Sequence, residues 1–265
     1  MKYCLNCMCK KEYLEQADEI YIPYQHRDLI YDVLDDYPKA DVIIDYAVEE
    51  GLPWDMLTAA NETHNNRLII CSSIPDELAA AKVAGIRAFY RHAVSSFYDL
   101  NALKELGVCY VYLQPPLFFD MDNVKKVGIP VRAVPNWAYD ENYLPRPHGI
   151  HGTWIRPEDI KYYEDYVGAC EFRTYAYDKD RREKEQTLFR IYKQGFWPED
   201  LSLVITGLNC YVDNKYVAQD RLMPIRLNCR QMCEVNHHCH ICERALDFGL
   251  TVKQYHENLK QPNLP

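Results

Sequence analysis

Two hydrophobic periodicities alternate along this chain. Short runs that are apolar on nearly every residue precede stretches in which apolar residues recur every three or four positions. "EIYIPY" leads to "HRDLIYDVLDDYP", "ADVIIDY" to "PWDMLTAANETH", "RLIICSS" to "PDELAAAKVAG" and "IRAFYRHAV" to "SFYDLNALKELG". The rhythm continues with "VCYVYLQPP" and "DMDNVKKVG", with "IPVRAVPNW" and the Pro-rich loop "YLPRPHG", with "IHGTWI" and "PEDIKYYEDYVG", and with "CEFRTYAY" and "DRREKEQTLFRIYKQG". Runs rich in Val, Ile and Tyr and apolar on both faces predict strands covered on both sides. The intervening stretches predict helices, with proline and acids in the first turn of "PDE" and "PED". Gly85, Gly107, Gly128, Gly168 and Gly195 are predicted helix ends, where a left-handed cap suits glycine.

Strand–helix units joined by short connections imply a parallel sheet, because each return crossover needs a helix. The simplest arrangement of eight units is an α/β fold of the eight-stranded parallel β/α (TIM-like) barrel type over residues 19–200. A cysteine-bearing segment, 1–18, precedes it and a cysteine-rich extension, 201–265, follows. The units span fewer than the roughly 200 residues usual for such barrels, and "LSLVITG" is a candidate further strand. The alternative is an open doubly wound sheet, weakened by the lack of a G-x-G-x-x-G or Walker phosphate loop.

The chain of 265 residues is 48% hydrophobic, enough for a substantial core. It has no run of the ~18–20 apolar residues that spans a bilayer, and no apolar signal-peptide core near its start. The expectation is a cytoplasmic protein without a membrane partner. A formal net charge of −9 argues against extended, non-specific nucleic-acid binding. The mixed charges of "KDRREKEQTLFRIYK" read as a solvated helix face.

Eleven cysteines without a secretion signal argue against a disulfide framework. Cys71, Cys109 and Cys170 sit singly in apolar runs and read as core packing. The clusters differ. Cys229-x3-Cys233 and Cys239-x2-Cys242 have spacings that let paired thiolates face one ion, with His237, His238 and His240 nearby. Both zinc and an iron–sulfur cluster are open for this set. Cys4-x2-Cys7-x-Cys9, expected before the first strand, could complete that site or form another. Its gaps and position do not fit the C-x3-C-x2-C of radical-SAM barrels.

Barrel enzymes place chemistry where strands end. The predicted ends supply Gln25, His26, Asp45, Ser72, Arg91, His92, Gln114, Asn136, Arg156 with Glu158, and Glu171 with Arg173. Glu171, Arg173 and Tyr175 share one strand face by alternation. Arg91, His92, Arg156, Glu171 and Arg173 are the candidate catalytic residues, suited to a polar or anionic ligand. The bland alternative for each is an ion pair or a helix cap, and Glu158 and Asp159 read as first-turn acids.

"TWIRPEDIKYYEDYVGACEFR" resembles the collagenase-like peptidase family, whose barrels carry a "RPEDI-x-YYE" stretch before a strand. "VITGLNC" is similar to that family's "VHG-x-L-C", and "IRLNCRQMC" to its "NRG-x-C-x3-C". The match runs over residues 150–245 and picks out Gly207, Cys210, Cys229 and Cys233. The resemblance implies a barrel with a 4Fe–4S cluster on four cysteines. It also implies kinship with enzymes that hydroxylate tRNA, ribosomal RNA or ubiquinone precursors without molecular oxygen. The family's "SGRC" cysteine has no counterpart in "VDNKYVAQ", so a fourth thiolate would come from Cys239, Cys242, Cys4 or Cys7. The expected function is a metal-dependent, hydroxylase-like modifier of RNA, a nucleotide or a small aromatic metabolite. The alternative is a non-enzymatic scaffold stapled by structural zinc. Peptidase activity finds no nucleophile motif.

Overall fold

The computed structural model describes residues 1–46, 53–114, 117–135, 155–172 and 181–196. In chain order its elements are β1 (Lys2–Asn6), α1 (Lys11–Leu14), β2 (Glu19–Ile22), a 3₁₀ segment (Tyr24–Leu29) running into α2 (Ile30–Asp36), β3 (Asp41–Tyr46), α3 (Trp54–Thr63), β4 (Leu68–Ser72) and α4 (Pro75–Val83). They continue as β5 (Arg87–Tyr90), β6 (Ala93–Val94), α5 (Phe97–Leu106), β7 (Tyr112–Leu113), α6 (Met121–Val127), β8 (Val131–Ala133), β9 (Val167–Glu171) and α7 (Arg181–Gln194). Two compact units result, one formed by Met1–Leu113, Asp122–Ala133 and Glu164–Glu171, the other by the rest.

The first unit holds an α/β fold around a parallel sheet of seven strands in the order β5-β4-β3-β2-β1-β9-β8, with a second parallel pair, β6-β7. Backbone bonds extend β7 toward both edges of the larger sheet. Arg132 N donates to Val111 O at 2.8 Å, Val111 N to Pro130 O at 3.2 Å, and Cys109 N to Ala88 O at 2.8 Å. Only Arg91 and His92 separate β5 from β6.

The two faces of this sheet differ in chemistry. Ile20, Ile22, Val42, Ile44, Leu68 and Ile70 are fully buried, and helices α2, α3 and α4 pack against β3, β4 and β5. This face supplies the apolar burial that drives folding. The other face, one residue out of phase, carries Lys2, Glu19, Asp41, Arg87, Arg132 and Glu171. Local signals end the helices as the sequence predicts. The Ser96 hydroxyl accepts from Asp99 N to cap α5, and Gly107 closes that helix at φ 76°. Arg67 donates to the carbonyls of Leu34, Tyr37, Ala40 and His64, so one guanidinium satisfies the ends of two helices.

Three expectations require correction. The sheet begins at Lys2 instead of near residue 19, so the early cysteines lie in and just after β1. Lys2 and Asn6 disguise this strand as a polar segment. In the fold Lys2 pairs with Asp41, and Asn6 turns the chain by accepting from Met8 N at 3.0 Å. The strand expected at "CEFRTYAY" instead comprises Val167–Glu171, preceded by a 3₁₀ segment at Pro157–Tyr163. Gly168 therefore sits inside β9 and not at a helix end. A Cβ there would meet the Pro130 Cβ at 2.9 Å and the Tyr110 ring at 3.1 Å, so close packing, not a turn, demands glycine. The strand expected at "IHGTWI" and the extension 201–265 lie outside the described residues.

The amino-terminal end of the polar face is an ion cluster. Asp41 accepts from Lys2 at 2.5 Å and from Arg87 at 2.6 and 3.1 Å. Burial alone would raise the Asp41 carboxyl, but these hydrogen bonds and charges outweigh it and hold the group below its ordinary value. A carboxylate depressed in the folded state contributes stability above its unfolded pKa, and that stability is lost as pH falls through the folded value. Asp41→Asn is therefore expected to flatten the decline of stability below about pH 4, read by urea unfolding across pH. An unchanged acid slope would mean that Asp41 is not held in this way.

In the second unit, Phe118 stacks on Tyr163 with ring centroids 5.7 Å apart. The Tyr192 hydroxyl donates to the carbonyls of Ile155 and Pro135, and the ring packs 5.1 Å from Phe172. A polar tip with an apolar body suits this position between backbone and core.

Candidate active site

The polar face of the sheet in the first unit is organised around Arg132 of β8, whose side chain is 0% exposed. Its Nη1 donates to Glu19 at 2.5 Å and its Nε to Glu171 at 3.0 Å. Tyr112 donates to the same Glu171 oxygen at 2.6 Å, and Tyr110 donates to Glu19 at 2.9 Å. The guanidinium carbon lies 5.3 Å from the Phe89 ring centre and 5.6 Å from that of Tyr110, within cation–π range. Burial alone would favour the neutral guanidine, but the charge of Glu19 outweighs it and the Arg132 pKa rises. Nη2 is buried with no hydrogen-bond partner among the described residues. An unmet buried donor costs about 1–3 kcal/mol, more for a charged group.

Nearer the carboxyl ends of the strands, the Tyr21 hydroxyl donates to Asp45, and Arg91 forms an ion pair with the same carboxylate. Burial, then the proximity of Cys71 and Glu171, raises the Tyr21 pKa against the pull of Arg91. The phenol therefore stays protonated at neutral pH and serves as a donor. Exposure differs along this face, and Glu171 beside Arg132 keeps 15%. Side-chain exposure is 28% at Arg91 and 17% at Asp45, against 0% at both Arg132 and Glu19. Chemically, a tyrosine–carboxylate pair beside a guanidinium can pass a proton and steady developing charge.

Two of the five candidate catalytic residues, Arg91 and Glu171, reach this face. His92 does not: it is exposed, in the bend between β5 and β6, and packs edge-on against Tyr90 at 5.5 Å. Arg156, in the second unit, donates to Asp159 at 2.6 and 2.9 Å, the short-range pairing of a helical first turn. Arg173, Asn136 and Tyr175 lie outside the described residues. Of the other strand-end residues, Asp45 joins the face, whereas the Ser72 hydroxyl bonds Glu77 of α4 and accepts from Ile74 N. Gln25 is exposed.

The thiols divide similarly. Cys4 is buried in β1, and Cys7 follows it, with its N–H donating to Tyr21 O at 2.8 Å. Burial pushes the Cys109 and Cys170 thiols up to about 12, so both are protonated and inert near neutrality. Among the described residues no group of three His, Cys, Asp or Glu side chains is placed to hold a metal ion. Cys210, Cys229, Cys233, Cys239 and Cys242 lie outside the described residues.

Sequence reasoning missed Arg132, Glu19, Tyr21, Tyr110 and Tyr112. A signal was present: "IPVRAV" and "DEIYIPY" each put a charge inside an otherwise apolar strand, and "YVY" repeats tyrosine at the strand period. A charge at such a position must be paired once buried.

No family model matches the chain, and no curated protein matches it. Among solved structures, "Native KDPGal structure" is 14% identical, with 73% of this chain and 94% of that one covered at a TM-score of 0.44. A designed cube-shaped, highly porous protein cage is also 14% identical, with coverage of 73% and 72% and a TM-score of 0.42. Likeness at this level says nothing about what the chain binds or does. No helix among the described residues is long and apolar enough to cross a membrane.

Proposed function

We propose that the first unit is a closed β/α barrel and that the protein is an enzyme acting on a small polar molecule at the carboxyl ends of its strands. Closure is supported by the bonds that tie the segment around β7 to Ala88 on one side and to β8 on the other. The observation that carries the activity is the partly exposed Tyr21–Asp45–Arg91 group, set at the end of the sheet where barrel enzymes keep their chemistry. Tyr21 supplies a hydroxyl donor to the Asp45 carboxylate, and Arg91 pairs with the same carboxylate.

The class of reaction rests on the sequence. The stretch 150–245 and its cysteines support an oxygen-independent, hydroxylase-like reaction on RNA, a nucleotide or a small aromatic metabolite, with a 4Fe–4S cluster or zinc on the tail thiols. Two measurements test these parts separately. Anaerobically purified protein is expected to be brown, to absorb near 400 nm and to contain iron and sulfide; a colourless product with stoichiometric zinc removes the iron–sulfur part. Asp45→Asn is expected to abolish retention of a ligand from a panel of nucleotides and aromatic acids while circular dichroism stays native. Retention unchanged by that substitution removes the site.

One observation favours a second reading, a scaffold without catalysis. Among the described residues, Lys2, Arg87, Arg91 and Arg132 are matched on this face by Glu19, Asp41, Asp45 and Glu171, so their charges balance. Under that reading Asp45→Asn lowers stability and alters no binding.

A further inference from the structure

We infer that Gly168 is a positioning residue of this site: as an extra residue of β9 with no side chain, it turns Glu171 onto the polar face beside Arg132. The inference rests on the reading of that face as an active site and specifies what holds it in shape.

The first ground is register. Along β8 and β9, Val131 aligns with Val167 and Arg132 with Ala169, so Gly168 has no partner on β8. An added residue of this kind is a β-bulge, which resets the alternation of its strand and re-aims the side chains beyond it. On the far side of the bulge, Ala169 and Glu171 align with Lys2 and Cys4 of β1. Lys2 belongs to the polar face, and Cys4, two residues on, shares it. Without the extra residue Arg132 would stand opposite Gly168. Strict alternation would then put Cys170 on the polar face and turn Glu171 toward the helices. The bulge lets the two charges point the same way, and Arg132 Nε donates to Glu171 at 3.0 Å.

The second ground is space. Gly168 does not take a positive φ, so its backbone conformation is open to any residue. What forbids a side chain is contact, since a Cβ would lie 2.9 Å from Pro130 Cβ and 3.1 Å from the Tyr110 ring. The Tyr110 ring fills that room. From there its hydroxyl donates to Glu19 at 2.9 Å, and its ring centre lies 5.6 Å from the Arg132 guanidinium. One glycine thus supports both carboxylates that Arg132 bridges.

These contacts reach the site. Glu171 keeps 15% of its side chain exposed, and its charge, after burial and Cys71, raises the phenol of Tyr21, the donor to Asp45. A constellation set by buried supports loses its geometry when a support shifts.

Deletion of Gly168 from the full chain tests this with two readings. One is water exchange of the Arg132 Nε–H by NMR, the signal being assigned by its absence from Arg132→Lys. The other is binding of adenosine monophosphate and para-hydroxybenzoate, a nucleotide and an aromatic acid. Exchange is expected to quicken at least tenfold and binding to weaken at least tenfold, with native circular dichroism. Unchanged exchange would show that the bulge does not bring Arg132 and Glu171 together, and quickened exchange with wild-type binding would show that the site does not depend on it. Either result overturns the inference. Should the deletion fail to fold, Gly168→Ala keeps the residue count and adds only the crowding methyl. At least a threefold change in both readings is then expected, and a change missing from either refutes the assignment. Binding lost in Asp45→Asn but kept in the Gly168 variant leaves the site standing and this assignment fallen. If neither probe binds the wild type, or Asp45→Asn leaves binding unchanged, the site falls and the role of Gly168 in it falls too.

Discussion

Arg132→Met is expected to destabilise the protein by about 3–5 kcal/mol in urea unfolding, among the largest effects of any single substitution in the first unit. The reason is what the substitution leaves behind. Glu19 is fully buried, and its neighbours after the loss would be the Tyr110 hydroxyl at 2.9 Å and the Lys2 ammonium at 3.8 Å. An ionised carboxylate in that setting has lost its closest counter-charge, and its desolvation is no longer offset. Adding Glu19→Gln to Arg132→Met removes the stranded charge, so the double variant should recover much of the loss. Two losses that simply add would mean that the residues do not sense one another, and the ion pair would then have no energetic standing.

Phe89→Ala is expected to cost about 3–5 kcal/mol by the same measurement. The ring is completely buried and contacts three groups at once. It sits edge-on to Tyr112 at 5.7 Å and to Tyr110 at 6.1 Å, and under the Arg132 guanidinium at 5.3 Å. Truncation removes the apolar transfer energy and leaves a void, and it also withdraws the π-face that helps hold a dehydrated cation. Phe89→Leu fills most of the volume and lacks the π-face, so it divides the two causes. If alanine and leucine cost the same, the void is not the main term. A cost below about 1 kcal/mol for alanine would show that the face repacks around the gap.

The helix-covered face of the sheet is legible from hydrophobic period alone, because each apolar run answers to its neighbours along the chain. β2, β3, β4 and β5 and helices α2 to α7 lie where that pattern predicts. β1 is not legible this way: its end residues are polar and find partners only in the folded sheet, Lys2 on Asp41 across 39 positions. The site shows the same limit more strongly. Arg91 and Glu171 can be picked out as polar residues at strand ends. That Arg132 would bridge Glu19 and Glu171 depends on a contact across 113 positions. Local sequence carries no record of such pairing, only the oddity of an arginine within "IPVRAV".

The pairing of β1 with β9 has a consequence for biosynthesis. Lys2, Tyr3 and Cys4 align with Ala169, Cys170 and Glu171, so β1 waits for a strand that is synthesised long after it. At roughly 5–20 residues per second of translation, the edge of β1 facing β9 stays open for many seconds, bearing unpaired amides and carbonyls of the kind that recruit stray strands. A nascent chain released before residue 171 should therefore be a client for chaperones in a way that the finished polypeptide is not.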